Sequence, residues 1–152
     1  MRIALYEPDI PQNTGTILRL AACFKITVEI IKPCGFVIND RRLKRSGMDY
    51  VEKVNLNFHD SWDIFFDTVQ NTIKARIILL TTKSENSFIS FNFKKTDILL
   101  LGRESAGVPE NVRDSVDENI IIPMSSGSRS LNIAISAAMV LGEAMRQTNT
   151  YP

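Results

Sequence analysis

Three segments gather glycine, polar and cationic residues in arrangements that packing alone does not demand. Pro11-Gln12-Asn13-Thr14-Gly15-Thr16-Ile17-Leu18-Arg19 sets a glycine and an arginine four positions apart. On a helix these share a face, leaving a bare patch one turn before the guanidinium where a ligand could meet a fixed cation. Arg19 is otherwise flanked by Ile17, Leu18, Leu20, Ala21 and Ala22, a costly setting for an unused charge. The plainer alternative is that it reaches outward to a surface carboxylate. Leu101-Gly102-Arg103-Glu104-Ser105-Ala106-Gly107-Val108-Pro109 follows directly on an apolar run, where α/β folds place ligand sites. Its spacing is neither GxGxxG nor a P-loop, so a conventional dinucleotide or nucleoside-triphosphate site fits poorly. Ile122-Pro123-Met124-Ser125-Ser126-Gly127-Ser128-Arg129-Ser130-Leu131-Asn132 is a small-residue loop ending at a helix start. Ser130 is a natural N-cap there, and exposed amides could hold a polar ligand.

Other chemistries fall away. His59 is the single histidine, in Asn57-Phe58-His59-Asp60-Ser61, which reads as a strand-to-helix turn. Any triad or dyad would have to use it, and one histidine with Cys23 and Cys34 completes no metal site. The two cysteines form neither a CxxC pair nor a disulfide framework and read as reduced thiols of a cytoplasmic protein. The chemistry is expected to run without histidine and without metal.

The elements that must position these segments alternate between short apolar runs and longer amphipathic ones. Residues 2–6 read as a strand, and Asn13 as the N-cap of a buried helix over 14–24. Residues 26–31 form a β-branched strand, 40–46 a short basic helix ended by Gly47, 51–56 a strand and 62–73 a helix. Residues 77–81, 98–101 and 120–122 are nearly continuous apolar runs, suited to interior strands covered on both faces. The longest helix is expected over 131–146. Such alternation predicts one α/β domain over 1–152, a mostly parallel sheet flanked by helices.

In the last helix the only polar residues from Leu131 to Met145 are Asn132, Ser136 and Glu143, which lie within about 40° on a helical wheel. A single sheet face cannot easily bury so broad an apolar surface. A homodimer supplies the second contact most simply; cover by other elements of the same chain is the alternative. Leu141 is expected to face either the core or the partner.

The 152 residues are 44% hydrophobic and 23% charged, close to the average for a soluble domain. With 18 Lys+Arg against 17 Asp+Glu, no global field announces a nucleic-acid partner, so any such binding must come from a local patch. No apolar run approaches the ~20 residues of a membrane span. The opening Met1-Arg2-Ile3-Ala4-Leu5-Tyr6-Glu7 brings an acidic residue too early for a signal peptide.

Taken together, Asn13-x-Gly15-x-x-x-Arg19, the 101–109 loop and Ile122-Pro123-Met124 with Ser130-Leu131-Asn132 resemble the three motifs of the SPOUT methyltransferases, SpoU branch. They occur in the family's order and span nearly the whole chain. Leu5-Tyr6-Glu7-Pro8-Asp9-Ile10-Pro11-Gln12-Asn13-Thr14-Gly15, Ile31-Lys32-Pro33-Cys34-Gly35-Phe36 and Ser128-Arg129-Ser130-Leu131-Asn132 are similar to the small TrmL-type enzymes that methylate the tRNA wobble ribose.

The resemblance implies a parallel α/β sheet with a C-terminal deep trefoil knot, a homodimer, and S-adenosylmethionine bound in the knot. Leu80, Thr81, Gly102, Glu104, Ile122, Met124, Ser130 and Leu131 would form the cofactor pocket, largely through backbone groups. The implied reaction is methyl transfer to the 2′-hydroxyl of cytidine or uridine 34 in the tRNA anticodon loop. Arg19 would be the leading catalytic residue, with Asn132 and Ser130 near the reacting groups. A guanidinium is rarely deprotonated, so Arg19 is better suited to positioning a phosphate or hydroxyl than to acting as base. Arg41, Arg42, Lys44 and Arg45, with Arg103 and Arg129 beside the pocket, would meet RNA phosphates; the alternative for residues 41–45 is a solvated helix face. Rival readings are a relative acting on rRNA or another tRNA position, and a non-catalytic RNA-binding module. Nucleotide mapping separates the first, and RNA binding without cofactor binding would favour the second.

Overall fold

The structure, a computed structural model, describes residues 1–37 and 53–152. Strands β1 (Arg2–Tyr6), β2 (Thr27–Ile31), β3 (Leu56–His59), β4 (Ile77–Leu80), β5 (Ile98–Leu101) and β6 (Glu118–Ile120) form one sheet of order β3-β2-β1-β5-β4-β6. Every pairing is parallel. The helices are α1 (Pro11–Phe24), α2 (Trp62–Thr68), α3 (Glu110–Ser115) and α4 (Ile133–Thr148), with Val69–Ile73 continuing α2 as a wider π turn.

The unbroken Ile-Leu-Leu-Leu of β5 follows from its place between β1 and β4, where all four side chains are buried. Side chains alternate across the sheet. Ile3, Leu5, Val28, Ile30, Leu99 and Leu101 face α1 and α4; Ala4, Tyr6, Ile31, Ile98 and Leu100 face Phe65 of α2 and Val112 of α3. Leu101 is in register with Leu5 on one side and Leu80 on the other, so β1, β4 and β5 end together. The chain runs outward from β1 through β2 to β3, then resumes on the far side of β5. The carboxyl ends of β1 and β5 thus flank a topological switch point, where open α/β sheets leave a crevice.

The structure moves several expected boundaries. Helix α1 begins at Pro11, whose fixed φ suits a first turn, and Ile10 at the cap position makes no side-chain bond. Asn13 is therefore not the cap; its amide is committed elsewhere. The third strand is Leu56–His59 instead of 51–56, because the ladder pairs Val28 with Leu56 and Ile31 with His59. Strand β6 ends at Ile120, and Ile121 makes only an isolated bridge to Ser87. Helix α4 starts two residues later than expected: Asn132, not Ser130, caps it by accepting from the Ala134 and Ile135 N–H groups at 2.9 and 3.3 Å. The short helix α3, announced only by Pro109 before it, was not expected. The basic segment with Arg41, Arg42, Lys44 and Arg45 lies outside the described residues.

His59 is the last residue of β3 and is buried. Its Nε2 lies 2.8 Å from Glu29 Oε2, while Glu29 Oε1 accepts from Arg2 Nη1 at 2.6 Å and Asn57 Nδ2 at 3.2 Å. This network satisfies a carboxylate that is 1% exposed within the sheet. The histidine here serves the hydrogen bonding of the sheet.

Candidate active site

A cavity of about 590 Å³ opens at the carboxyl edge of the sheet, a volume suited to a cofactor-sized ligand. Residues 79–83 after β4, 101–108 after β5, 121, 122 and 124 after β6, and 130–133 at the start of α4 form its walls, with Ile10, Asn13, Arg113 and Ser136 completing them. Leu80, Thr81, Gly102, Glu104, Ile122, Met124, Ser130, Leu131 and Asn132 all line it, as does Arg103. Asn13 and Asn132, 119 residues apart in sequence, are brought to one site.

The 102–107 loop is a closed ring. Arg103 N–H donates to the Gly107 carbonyl at 2.9 Å and Gly107 N–H returns a bond to the Arg103 carbonyl at 2.8 Å. Residue 102 must be glycine here: a Cβ would stand 2.5 Å from the Gly107 carbonyl carbon. Gly107 has a φ of 68°, the left-handed conformation that closes the ring. Arg103 is held at the rim by Glu7 Oε2 at 3.1 Å.

A polar network ties three segments together behind this wall. Glu104 Oε2 accepts from Asp9 N–H at 3.0 Å, and Asp9 Oδ1 accepts from Glu104 N–H at 3.1 Å. Ser105 Oγ donates to Asp9 Oδ2. Asn13 Nδ2 donates to Glu104 Oε1 at 3.1 Å, and Asn132 Nδ2 donates to Asn13 Oδ1 at 3.0 Å. Hydrogen bonds from Glu104 and Ser105 hold the Asp9 carboxyl down at about 2, whereas burial and the Asp9 carboxylate push Glu104 upward. Asp9 is thus the more acidic member of the pair.

Arg19 is exposed on α1 and does not line the cavity, whereas Gly15 is buried; the helix turns them to different surroundings. Arg129 is exposed and also outside the lining. Asp9, Lys83, Arg113 and Ser136 were missed as site residues. The last three carry no local signal, but the glutamate-proline-aspartate turn after β1 could have marked Asp9 as a loop residue at a strand's carboxyl end. On α4, Ala137, Val140, Leu141 and Ala144 are buried while Ile135 is 54% and Met139 41% exposed. Leu141 belongs to the core.

Among the described residues no group of three His, Cys, Asp or Glu could hold a metal, and no helix is long and apolar enough to cross a membrane.

The SpoU rRNA Methylase family model matches residues 1–142. A protein of Beijerinckia indica named tRNA (cytidine(34)-2′-O)-methyltransferase is 51% identical over 145 residues, covering 95% of this chain and 90% of that one. The Escherichia coli K12 protein of the same name is 36% identical, covering 100% and 96%. A solved structure described as giving structural insights into the 2-OH methylation of C/U34 on tRNA superposes with a TM-score of 0.90 at 37% identity, covering 96% of this chain and 94% of that one. The SpoU methyltransferase AviRb of Streptomyces viridochromogenes, in complex with AdoMet, shares the fold with a TM-score of 0.88 at 24% identity, covering 97% and 60%. A six-stranded parallel sheet with its motif loops gathered on one cavity, matched over nearly its full length, places the chain in the SpoU methylase family.

Proposed function

We propose that the chain is an S-adenosylmethionine-dependent tRNA methyltransferase that modifies the ribose 2′-hydroxyl of cytidine or uridine 34 in the anticodon loop. The observation that carries this reading is the convergence of all three motif segments on one cavity at the switch point, in a chain whose near-full-length relatives bear that name. The wall fits the cofactor: a ring of backbone amides with no room for a Cβ at Gly102, beside the apolar ends of β4 and β5, suits an adenosine and its amino-acid tail.

When bound, S-adenosylmethionine supplies an electrophilic methyl group on a sulfonium. Leu80, Gly102, Ile122, Met124 and Leu131 hold it through main-chain groups, with Thr81, Glu104 and Ser130. Ser130 and Asn132 stand beside the reacting groups. The 2′-hydroxyl is a poor nucleophile, so the chain's own part is to hold and orient it toward the methyl donor, a positioning effect that contributes much of the acceleration. Arg19 positions the acceptor as a permanent cation. The homodimer contact falls on the exposed Ile135 and Met139 of α4, next to Ser136 in the cavity wall. Arg103 and Arg129, with Arg41, Arg42, Lys44 and Arg45, meet RNA phosphates.

The chain works as one domain, with the C-terminal deep trefoil knot that the family resemblance implies. A tRNA substrate places the enzyme in the cytoplasm. Purified protein, S-adenosylmethionine and undermodified bulk tRNA, with nucleosides mapped by mass spectrometry, test the reading. New 2′-O-methylcytidine or 2′-O-methyluridine at the wobble position is expected. Methylation of ribosomal RNA alone would replace the substrate, and absence of cofactor binding would end the enzyme reading.

A further inference from the structure

Asp9 touches none of the residues assigned to the acceptor, yet it anchors the network that reaches them. A primary amide can turn over, exchanging its donor and acceptor ends, so the polarity of Asn13 and Asn132 at the cavity wall needs an external reference. The two ends of the network supply it. At one end Asn132 Oδ1 must accept, because the Ala134 and Ile135 N–H groups of α4 point at it. At the other, Glu104 Oε1 must accept from Asn13 Nδ2. Between them Asn13 Oδ1 takes the Asn132 N–H. Each Asn–NH2 then has a second hydrogen beyond the one used in the network, on a residue that lines the cavity.

We infer that Asp9 is a positioning residue which, by donating its N–H to Glu104 Oε2 and accepting the Glu104 N–H on Oδ1, holds the Glu104 carboxyl where Oε1 accepts from Asn13 and so steadies Asn13 and Asn132, whose polarity the α4 N–H groups fix at the far end, toward an oxygen-bearing ligand. The Asp9 N–H occupies Glu104 Oε2, which leaves Oε1 to accept from Asn13. A third contact holds Asp9 from behind. Gly35 N–H donates to the Pro8 carbonyl at 2.9 Å, and a Cβ at residue 35 would lie 2.8 Å from Asp9 Cα. The loop after β2 is thus seated on the Asp9 backbone. The ligand class is an oxygen acceptor such as a ribose hydroxyl or a carboxylate. This inference rests on the methyl-transfer reading of the cavity.

The test uses 15N-labelled full-length protein and compares wild type with Asp9→Ala and Asp9→Asn. Asparagine keeps an oxygen to accept from Glu104 N–H; alanine does not. In Asp9→Ala the side-chain NH2 resonances of Asn13 and Asn132 should both move, although neither residue touches Asp9. Turnover on tRNA should fall about 10–100-fold, as expected for a misplaced reacting group, with the calorimetric affinity for S-adenosylhomocysteine changed only about threefold. Asp9→Asn should restore the resonances and most of the turnover. Unmoved amide resonances in Asp9→Ala, or equal impairment of the two variants, would overturn the inference. Where alanine lowers folding, Asp9→Leu removes the same pair of acceptors while keeping the side-chain volume, and the same resonances decide. The amide readout needs no RNA, so a wild-type protein that binds no S-adenosylmethionine would sink the methyl-transfer reading and leave this test standing.

Discussion

Replacing Gly102 by alanine should damage the cavity far more than replacing Gly107, although both glycines belong to the same ring. At residue 102 the added Cβ would meet the Gly107 carbonyl carbon at 2.5 Å and its Cα and oxygen at 2.8 Å. These are backbone atoms, so no rotamer relieves them; the ring itself must open. Opening it breaks the reciprocal bonds between Arg103 and Gly107, each worth about 0.5–1.5 kcal/mol net, for a loss of about 1–3 kcal/mol. With a urea dependence of about 1–3 kcal/mol per molar for a small domain, the unfolding midpoint should fall by on the order of 1 M. Because residues 102–107 form one wall, affinity for S-adenosylmethionine should fall by at least about tenfold, or 1.4 kcal/mol. At Gly107 a Cβ meets nothing within 4 Å, and the penalty is the left-handed φ of 68°, about 1–2 kcal/mol. Gly107→Ala should therefore lose stability yet keep cofactor binding. Urea unfolding and isothermal calorimetry on both variants check this. Wild-type affinity in Gly102→Ala, or equal loss of affinity in the two, would refute the steric argument.

Arg19→Ala should collapse turnover while leaving cofactor binding nearly intact, since Arg19 is exposed and outside the cavity lining; turnover within a few-fold of wild type would remove Arg19 from the mechanism. Ile135→Asp combined with Met139→Asp should yield a folded monomer by sedimentation, whereas Leu141→Lys, which puts a charge at a site 1% exposed, should unfold the chain. A folded Leu141→Lys protein would contradict the placement of that residue in the core. The acid pair gives a pH signature. Asp9, held at about 2, contributes stability that is lost as pH falls below the ordinary carboxylate range toward 2. Glu104, raised in the native state, contributes stability at acid pH that is lost as pH rises from 4.5 through its native value. Urea unfolding should therefore show wild type losing stability relative to Glu104→Gln as pH rises across that upper window; a constant difference would contradict the assignment.

Much of this protein was legible in one dimension because the responsible forces act over short stretches of chain. The apolar runs at 77–80 and 98–101 announce strands covered on both faces, since burial on both sides leaves no place for a polar residue. The glycine-rich stretch after β5 marks a loop at a strand's carboxyl end, and Leu80, Thr81, Gly102, Glu104, Ile122, Met124, Ser130, Leu131 and Asn132 line one cavity while Arg129 does not. The exposed half of α4 likewise shows in its pattern, because a helix with so few polar residues cannot bury its whole circumference on one sheet.

What only the tertiary structure decided are the pairings that close over long separations. Asp9 and Glu104 are 95 residues apart, and Asn13 and Asn132 are 119 apart, so no local periodicity links them. The start of α4 at Asn132 and the loss of Asn13 as a cap are consequences of that network: each asparagine takes the hydrogen-bonding role its neighbours in space leave open. Ladder register moved β3 to Leu56–His59, because a buried Glu29 needed the partners that His59 and Asn57 supply. Helix rotation on the sheet turned Arg19 outward while burying Gly15. Spacing in sequence sets which residues share a helical face, but packing against the sheet decides which face meets water, and that choice depends on every element at once.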